Sequence, residues 1–290
     1  MRQRGEMMLH PGRYEHLDSC DAGLRVVQLE SAPDATLVLR TGMPSNETIV
    51  TAAVIVIGNE ILSGRTQDTN LRDLATTLGS WGIRVREARV IPDVESVIVG
   101  VVNELRSRYD YVFTTGGIGP THDDITAECI AKAFGVPLIE HPAIAALIRQ
   151  REAPPEIMAA RLRMARVPEG AGLIENTTGG PPGFFIGNVH VMAGIPSVMR
   201  AMLASLQTKL RVGAVVESRS VTAFVPESAI AEPFGKLQAL HEQIEMGSYP
   251  LTRDGRYGTT LVLRGTDPAL LDTLLEQVKA MIVAAGGTPE

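Results

Sequence analysis

Cysteine is nearly missing from this chain. Cys20 and Cys129 are the two among 290 residues, and they lie far apart. Two such residues can neither staple a disulfide scaffold nor complete a Cys-rich zinc module. Their scarcity suits a reducing compartment, so a cytoplasmic location is expected. A basic excess is also lacking: 27 Lys and Arg stand against 33 Asp and Glu, for a formal net charge of −6. That balance argues against a general nucleic-acid binder, although it leaves room for a local patch. No apolar run exceeds the length of a strand, so no bilayer span and no membrane partner are expected. The opening MRQRGEMMLHPGRYEH carries charge without the apolar stretch of a secretory signal. There is no Gly-x-Ser-x-Gly elbow, no HExxH pair and no Cys–His nucleophile arrangement, which leaves covalent catalysis with little support.

What is present is enough for a core. Hydrophobic residues make up 44% and charged residues 21%, which excludes wholesale disorder. Length alone suggests one large domain or two unequal ones. Residues 1–50 show short alternating patches and no helix of ordinary length. They are read as an N-terminal extension, disordered or loosely packed, with Met43 as an alternative start. From Ala52 the pattern alternates strand and helix. Ala53–Ile57 is a continuous run of the kind found in strands buried on both faces. Leu71, Leu74, Ala75, Leu78 and Trp81 recur at helical spacing, with Gly82 at the C′ position. Strands are expected at 83–90 and 111–115, and helices at 94–106 and around Ile125–Phe134. Residues 142–167 read as mostly helical. Gly187-Asn188 reads as a hairpin turn between 184–186 and 189–192, and a helix follows from Pro196 to about Leu210.

The expected fold class is α/β: a three-layer α/β/α arrangement on a mostly parallel sheet over residues 51–212. A small α+β unit is expected over 213–290. In it, Asp267-Pro268 forms the N-cap and N1 pair of the last helix.

Ligands of open parallel sheets bind at the C-terminal ends of strands, and three motifs fall there. The first, Gly58 to Asn70, supplies Glu60, Asp68 and Asn70 beside several hydroxyls; Asp68 or Asn70 could equally cap a helix. The second is Thr114-Thr115-Gly116-Gly117-Ile118-Gly119-Pro120-Thr121-His122-Asp123-Asp124-Ile125-Thr126. Its glycines let backbone N–H groups turn inward, and the following helix adds its positive end. It lacks the lysine of the phosphate loop and the spacing of the dinucleotide fingerprint. Asp123 and Asp124 would repel a bare phosphate, so a divalent cation is the natural mediator. The alternative is that Asp123 caps the helix and Asp124 is its first-turn acid. His122 reads as a solvated loop residue. The third motif pairs Gly179-Gly180-Pro181-Pro182-Gly183-Phe184 with Ala193-Gly194-Ile195-Pro196-Ser197, a second anion site or simply a closed loop. Of Phe184 and Phe185, one is expected in the core and the other against a ring.

The segments IGNEILSGRTQDTN, TTGGIGPTHDDITAECIAKAFG and MAGIPSVM resemble the MoaB/Mog-type molybdopterin-binding domain. Within it they are most similar to the N-terminal domain of bacterial CinA and the molybdopterin-binding-like domain of eukaryotic FAD synthase. The resemblance runs from about Ala52 to Leu210, and GSYPLTRDGRYGTTLVL resembles the region that follows in FAD synthase. It implies phosphate on the turn formed by Thr115, Gly116, Gly117 and Gly119, with Thr126, Asn70, Gly194, Pro196 and Ser197 completing the ligand site. It implies Asp124, and approximately Asp68, near phosphate or metal. It also implies hydrolysis of nucleotide pyrophosphates of the FAD or ADP-ribose type with a divalent metal and potassium. The deamidase domain common in CinA proteins and the adenylyltransferase of FAD synthase have no counterpart in the pattern, so neither activity is carried over.

The leading expectation is a metal-dependent pyrophosphatase. Asp124 and Asp123 would hold Mg²⁺ or Co²⁺, glycine amides would hold phosphate, and Glu60 or Asp68 would orient water or a second ion. Molybdopterin binding or adenylyl transfer in molybdenum cofactor assembly, and a non-catalytic interaction protein, remain open beside it. A homo-oligomer is expected from the family resemblance.

Overall fold

The computed structural model describes residues 49–290. The expectations for the N-terminal extension, Cys20 and Met43 included, lie outside the described residues, apart from the last two positions of 1–50.

The chain runs β1 (Val50–Ile57), α1 (Asn59–Leu62), α2 (Asn70–Ser80), β2 (Ile83–Ile91), α3 (Glu95–Arg108), β3 (Tyr111–Thr115) and α4 (Thr126–Phe134). It continues through β4 (Leu138–Glu140), α5 (Pro142–Arg149), α6 (Pro155–Leu162), a 3-10 turn (Arg163–Ala165), β5 (Arg166–Pro168), β6 (Gly172–Ile174), β7 (Gly183–Ile186), β8 (Val189–Met192) and α7 (Pro196–Ala204). The last part is β9 (Glu217–Ala223), α8 (Glu227–Leu240), β10 (Glu245–Arg253), β11 (Arg256–Gly265) and α9 (Pro268–Ala284).

Strand β1 makes three layers because it is apolar on both faces. Ala53, Ile55 and Ile57 enter one core with Ile98, Val102 and Leu105 of α3 and Cys129 and Ile130 of α4. The alternate residues Ala52, Val54 and Val56 enter a second core with Leu74 and Leu78 of α2 and Met199, Met202 and Leu203 of α7. Each fully buried aliphatic side chain of this kind contributes about 1.5–3 kcal/mol. The sheet order is β2-β1-β3-β8-β7-β6. The first four strands are parallel, and β7 and β6 run antiparallel to their neighbours. The chain leaves β1 for β2 on one side and then crosses to β3 on the other. The strand order therefore reverses between β1 and β3, where a crevice opens at the carboxyl ends.

A separate antiparallel sheet, β10-β11-β9, packs its own core against α8 and α9. The Asp267 carboxylate accepts from the N–H groups of Ala269 and Leu270, as the sequence pattern indicates. No helix among the described residues is long and apolar enough to cross a membrane.

Three local expectations need correction. The mostly helical segment 142–167 breaks between Arg149 and Pro155, where the Ala153-Pro154-Pro155 interruption falls, but its last two residues belong to β5, which pairs with β4. Helix α7 ends at Ala204 rather than near Leu210, and turns closed by carbonyls of Met202, Leu203 and Leu206 follow. Helix α4 starts at Thr126, so Asp123 and Asp124 lie in the loop before it, and neither caps it.

Candidate functional site

The site is built where β1 and β3 end. Gly116 has φ +101°, and a Cβ there would overlap the Ile57 carbonyl oxygen, so only glycine lets the turn pass over the end of β1. Gly117 has φ +67°, and its Cβ would overlap the Thr126 hydroxyl. Thr126 is fully buried. Its hydroxyl donates to the Gly116 carbonyl and its N–H to the Gly117 carbonyl, both at 3.0 Å. Thr126 thus shapes the turn from beneath rather than touching a ligand, which corrects its expected place among the ligand contacts.

A cleft of about 590 Å³ opens over this turn. Gly116, Gly117 and Gly119 form one wall, Gly194, Ile195 and Pro196 another, and Asn176, Gly180, Pro181 and Pro182 close a side. A smaller recess of about 70 Å³ lies against it, lined by Glu60, Asp68, Asn70, Thr115, Gly116, Gly194 and Pro196. In this recess Asn70 is 4% exposed and Thr115 1%. The Asn70 Oδ1 and the Thr115 hydroxyl are buried without partners, and buried polar atoms in that state are uncommon. The Asn70 side-chain amide donates to the Gly194 carbonyl at 2.7 Å.

The carboxylates divide. Asp124 is half-buried and lines the cleft. Its Oδ2 accepts from the Thr121 N–H at 2.8 Å and from the Thr121 hydroxyl. A Cβ on Gly119 would stand 2.6 Å from that oxygen, so the glycine leaves room for the acid. Asp123 is exposed and does not line the cleft, so the two acids do not enter it side by side as expected. The Thr121 hydroxyl, its own backbone amide, and the charges of His122 and Arg163 hold its carboxyl below the usual range. Glu60 lines both cleft and recess. Asp68 lines the recess while its Oδ1 accepts the Leu71 N–H at 3.0 Å, so it does cap the start of α2. Ser197 is exposed and lines neither cavity. His122 is an exposed loop residue. Phe184 is core and borders the cleft, whereas Phe185 stacks on His190 with ring centroids 5.5 Å apart.

Two features escaped the sequence pattern. Asp93, which belongs to none of the three motifs, accepts the Asn59 N–H at 2.9 Å. Burial first raises its carboxyl above the usual range, and the charges of Glu60 and Asp123 push the same way. Arg163 and Arg166 line the cleft, so one wall is cationic. They sit in the stretch read as structural helix, and the sole sequence signal was two arginines three apart before Pro168.

A mostly parallel open sheet with a glycine turn and an acid at its switch point has the make-up of a small-molecule-binding α/β/α domain. The chain belongs to the family described as probable molybdopterin binding domain, which matches residues 53–211, and it is of the MoaB/Mog-type, CinA-like kind. Residues 215–286 match the middle domain of FAD synthase. A protein from Archaeoglobus fulgidus is 32% identical over 198 residues, covering 68% of this chain and 84% of that protein. A CinA-like protein from Gemmatimonas aurantiaca is 36% identical over 200 residues, covering 63% of this chain and 46% of its own length. The chain thus spans about half of that CinA-like relative. The crystal structure of the protein CinA from Thermoplasma acidophilum is 34% identical with a TM-score of 0.50, covering 55% of this chain and 98% of that one.

Proposed function

We propose that this chain hydrolyses the phosphoanhydride of a dinucleotide-type substrate, of the FAD or ADP-ribose kind, with the help of a divalent cation. The observation that carries the reading is Asp124, half-buried in the cleft wall beside the glycine turn whose Gly119 leaves it room. The Gly116 N–H is spent on the Met192 carbonyl at 3.2 Å, so the Gly117 and Gly119 amides take phosphate oxygens, and the apolar and amide surfaces around Pro181, Pro182 and Asn176 take a nucleoside arm. Water attacks one phosphorus. The bond from that phosphorus to the bridging oxygen breaks, the bridging oxygen leaves on the other phosphate, and Glu60 takes the water's proton. Two phosphate monoesters result.

The donor set fits a shared cation rather than a caged one. Among the described residues no three His, Cys, Asp or Glu side chains converge as a metal-holding group. Asp124 supplies one of the one or two carboxylates that Mg²⁺ takes beside phosphate oxygens and water, and the exposed Asp123 next to it in the chain could supply a second. When bound, Mg²⁺ or Co²⁺ neutralises phosphate charge and polarises the phosphorus. The unpartnered oxygens of Asn70 and Thr115 are neutral hard donors that suit potassium in the recess.

The test is turnover of FAD, ADP-ribose and NADH with Mg²⁺ or Co²⁺, with and without K⁺. Asp124→Asn should abolish hydrolysis while thermal unfolding stays cooperative; unchanged turnover rejects the assignment. A second reading, pterin binding without hydrolysis, is favoured by the family description itself. Tight molybdopterin binding with no turnover of any nucleotide supports that reading instead.

A further inference from the structure

The cleft that Asp124 lines also holds an arginine with no side-chain partner among the described residues. Arg163 opens the 3-10 turn after α6 and lines the cleft half-buried. Its Nε is buried and donates to nothing. Among the described residues its side chain makes no hydrogen bond and no ion pair. Two other arginines of this region are engaged: Arg149 pairs with Glu140 at 2.8 Å, and Arg161 donates to the Arg151 carbonyl at 3.2 Å. The Nε is withdrawn from water with no partner, which is costly, while the other guanidinium donors of this half-buried residue stay open to a ligand, and their fork matches the oxygens of a phosphate. Its charge already reaches Asp123. Arg166, three residues on, lines the same wall and is fixed by the pairing of β5 with Glu140 of β4.

We infer that Arg163 is a direct anion clamp for the phosphate farther from the glycine turn, so that the cleft selects a ligand with two linked phosphates and holds it without a cation. The inference rests on reading the cleft as a diphosphate site. It adds that the protein itself neutralises part of the ligand's charge, leaving the metal for the step at Asp124. A monophosphate, gripped by the turn alone, gains little from Arg163.

The test is equilibrium binding of ADP-ribose and of AMP to the full chain in EDTA. Wild type should bind ADP-ribose without metal. Arg163→Met, which keeps the apolar stem, should weaken ADP-ribose at least tenfold and AMP less than threefold, and Arg163→Lys should recover part of the loss. An unchanged thermal midpoint separates these losses from unfolding. ADP-ribose binding unchanged in Arg163→Met, equal losses for both ligands, or no metal-free binding to wild type each overturn the clamp. Arg163-dependent binding without hydrolysis under Mg²⁺ overturns the proposed reaction and leaves the clamp standing. Hydrolysis with Arg163-independent binding does the reverse.

Discussion

Asn70 and Gly194 are 124 residues apart in sequence, yet the side-chain amide of one donates to the carbonyl of the other at 2.7 Å. The bond ties the start of α2 to the loop after β8. Since Asn70 is 4% exposed, its loss cannot be made good by water. Asn70→Asp keeps the size but turns the donor into a carboxylate facing a carbonyl. Ligand affinity should fall at least tenfold in Asn70→Asp and by less in Asn70→Ala, as titration would read. Equal affinities in all three would mean that the tie does not position the cleft wall.

The glycine turn depends on one hydroxyl. Thr126→Val removes the donor to Gly116 and leaves a buried carbonyl unmet, which costs about 1–3 kcal/mol. Thr126→Ser keeps the donor and should recover most of the lost stability and substrate affinity in denaturant titration and KM. Gly117→Ala meets both a positive φ and the Thr126 hydroxyl, so it should raise KM more than Thr126→Val does. If Thr126→Val matches wild type in both measurements, the turn is held by its backbone alone.

These bonds mark what sequence reading could and could not reach. Strand β3 falls at the residues the pattern indicates, and β1 is legible because an apolar run on both faces has one buried solution. The glycine turn is legible from its composition, but the role of Thr126 beneath it needs the third dimension. Strands β4 and β5 have three residues each, too few for a period, and β5 follows helical residues directly. Helix α7 stops at Ala204 although no glycine or proline follows until Gly213, so its end carries no local signal. Asp93 and Arg163 stand outside every motif. The fold carries the turn after α6 into the cleft lining, and the β2–α3 loop to the Asn59 N–H at the start of α1.

Asp68 is where a cap and a catalyst can be told apart. Its Oδ1 accepts the Leu71 N–H at 3.0 Å while the residue borders the recess. Asp68→Ser preserves a capping oxygen and removes the charge. If capping is its whole contribution, Asp68→Ser turns over like wild type. Asp68→Ala then loses about 1 kcal/mol of stability, with kcat changed only a few-fold. Loss of turnover in Asp68→Ser at unchanged stability would return the carboxylate to the chemistry.

His190 supplies a pH dependence away from the cleft. It lies on β8 between Phe113 of β3 and Phe185 of β7, its partners in the sheet register, and is 5% exposed. Burial holds its imidazole down at about 4, against an ordinary value of 6.5. The unfolded chain therefore takes up this proton first as pH falls. The contribution of His190 is whole above about pH 6.5, declines between about 6.5 and 4, and adds no further slope below that. At about 1.4 kcal/mol per pH unit, the loss is on the order of 3 kcal/mol across the window. His190→Phe puts another ring into the same stack without a titrating nitrogen. Its unfolding free energy should sit at a constant offset from wild type at neutral pH, and the offset should shift in the variant's favour by about 3 kcal/mol as pH drops to 4. Parallel curves throughout would show that His190 is protonated in the folded protein as readily as in the unfolded chain, and that its aromatic cage does not exclude the charge.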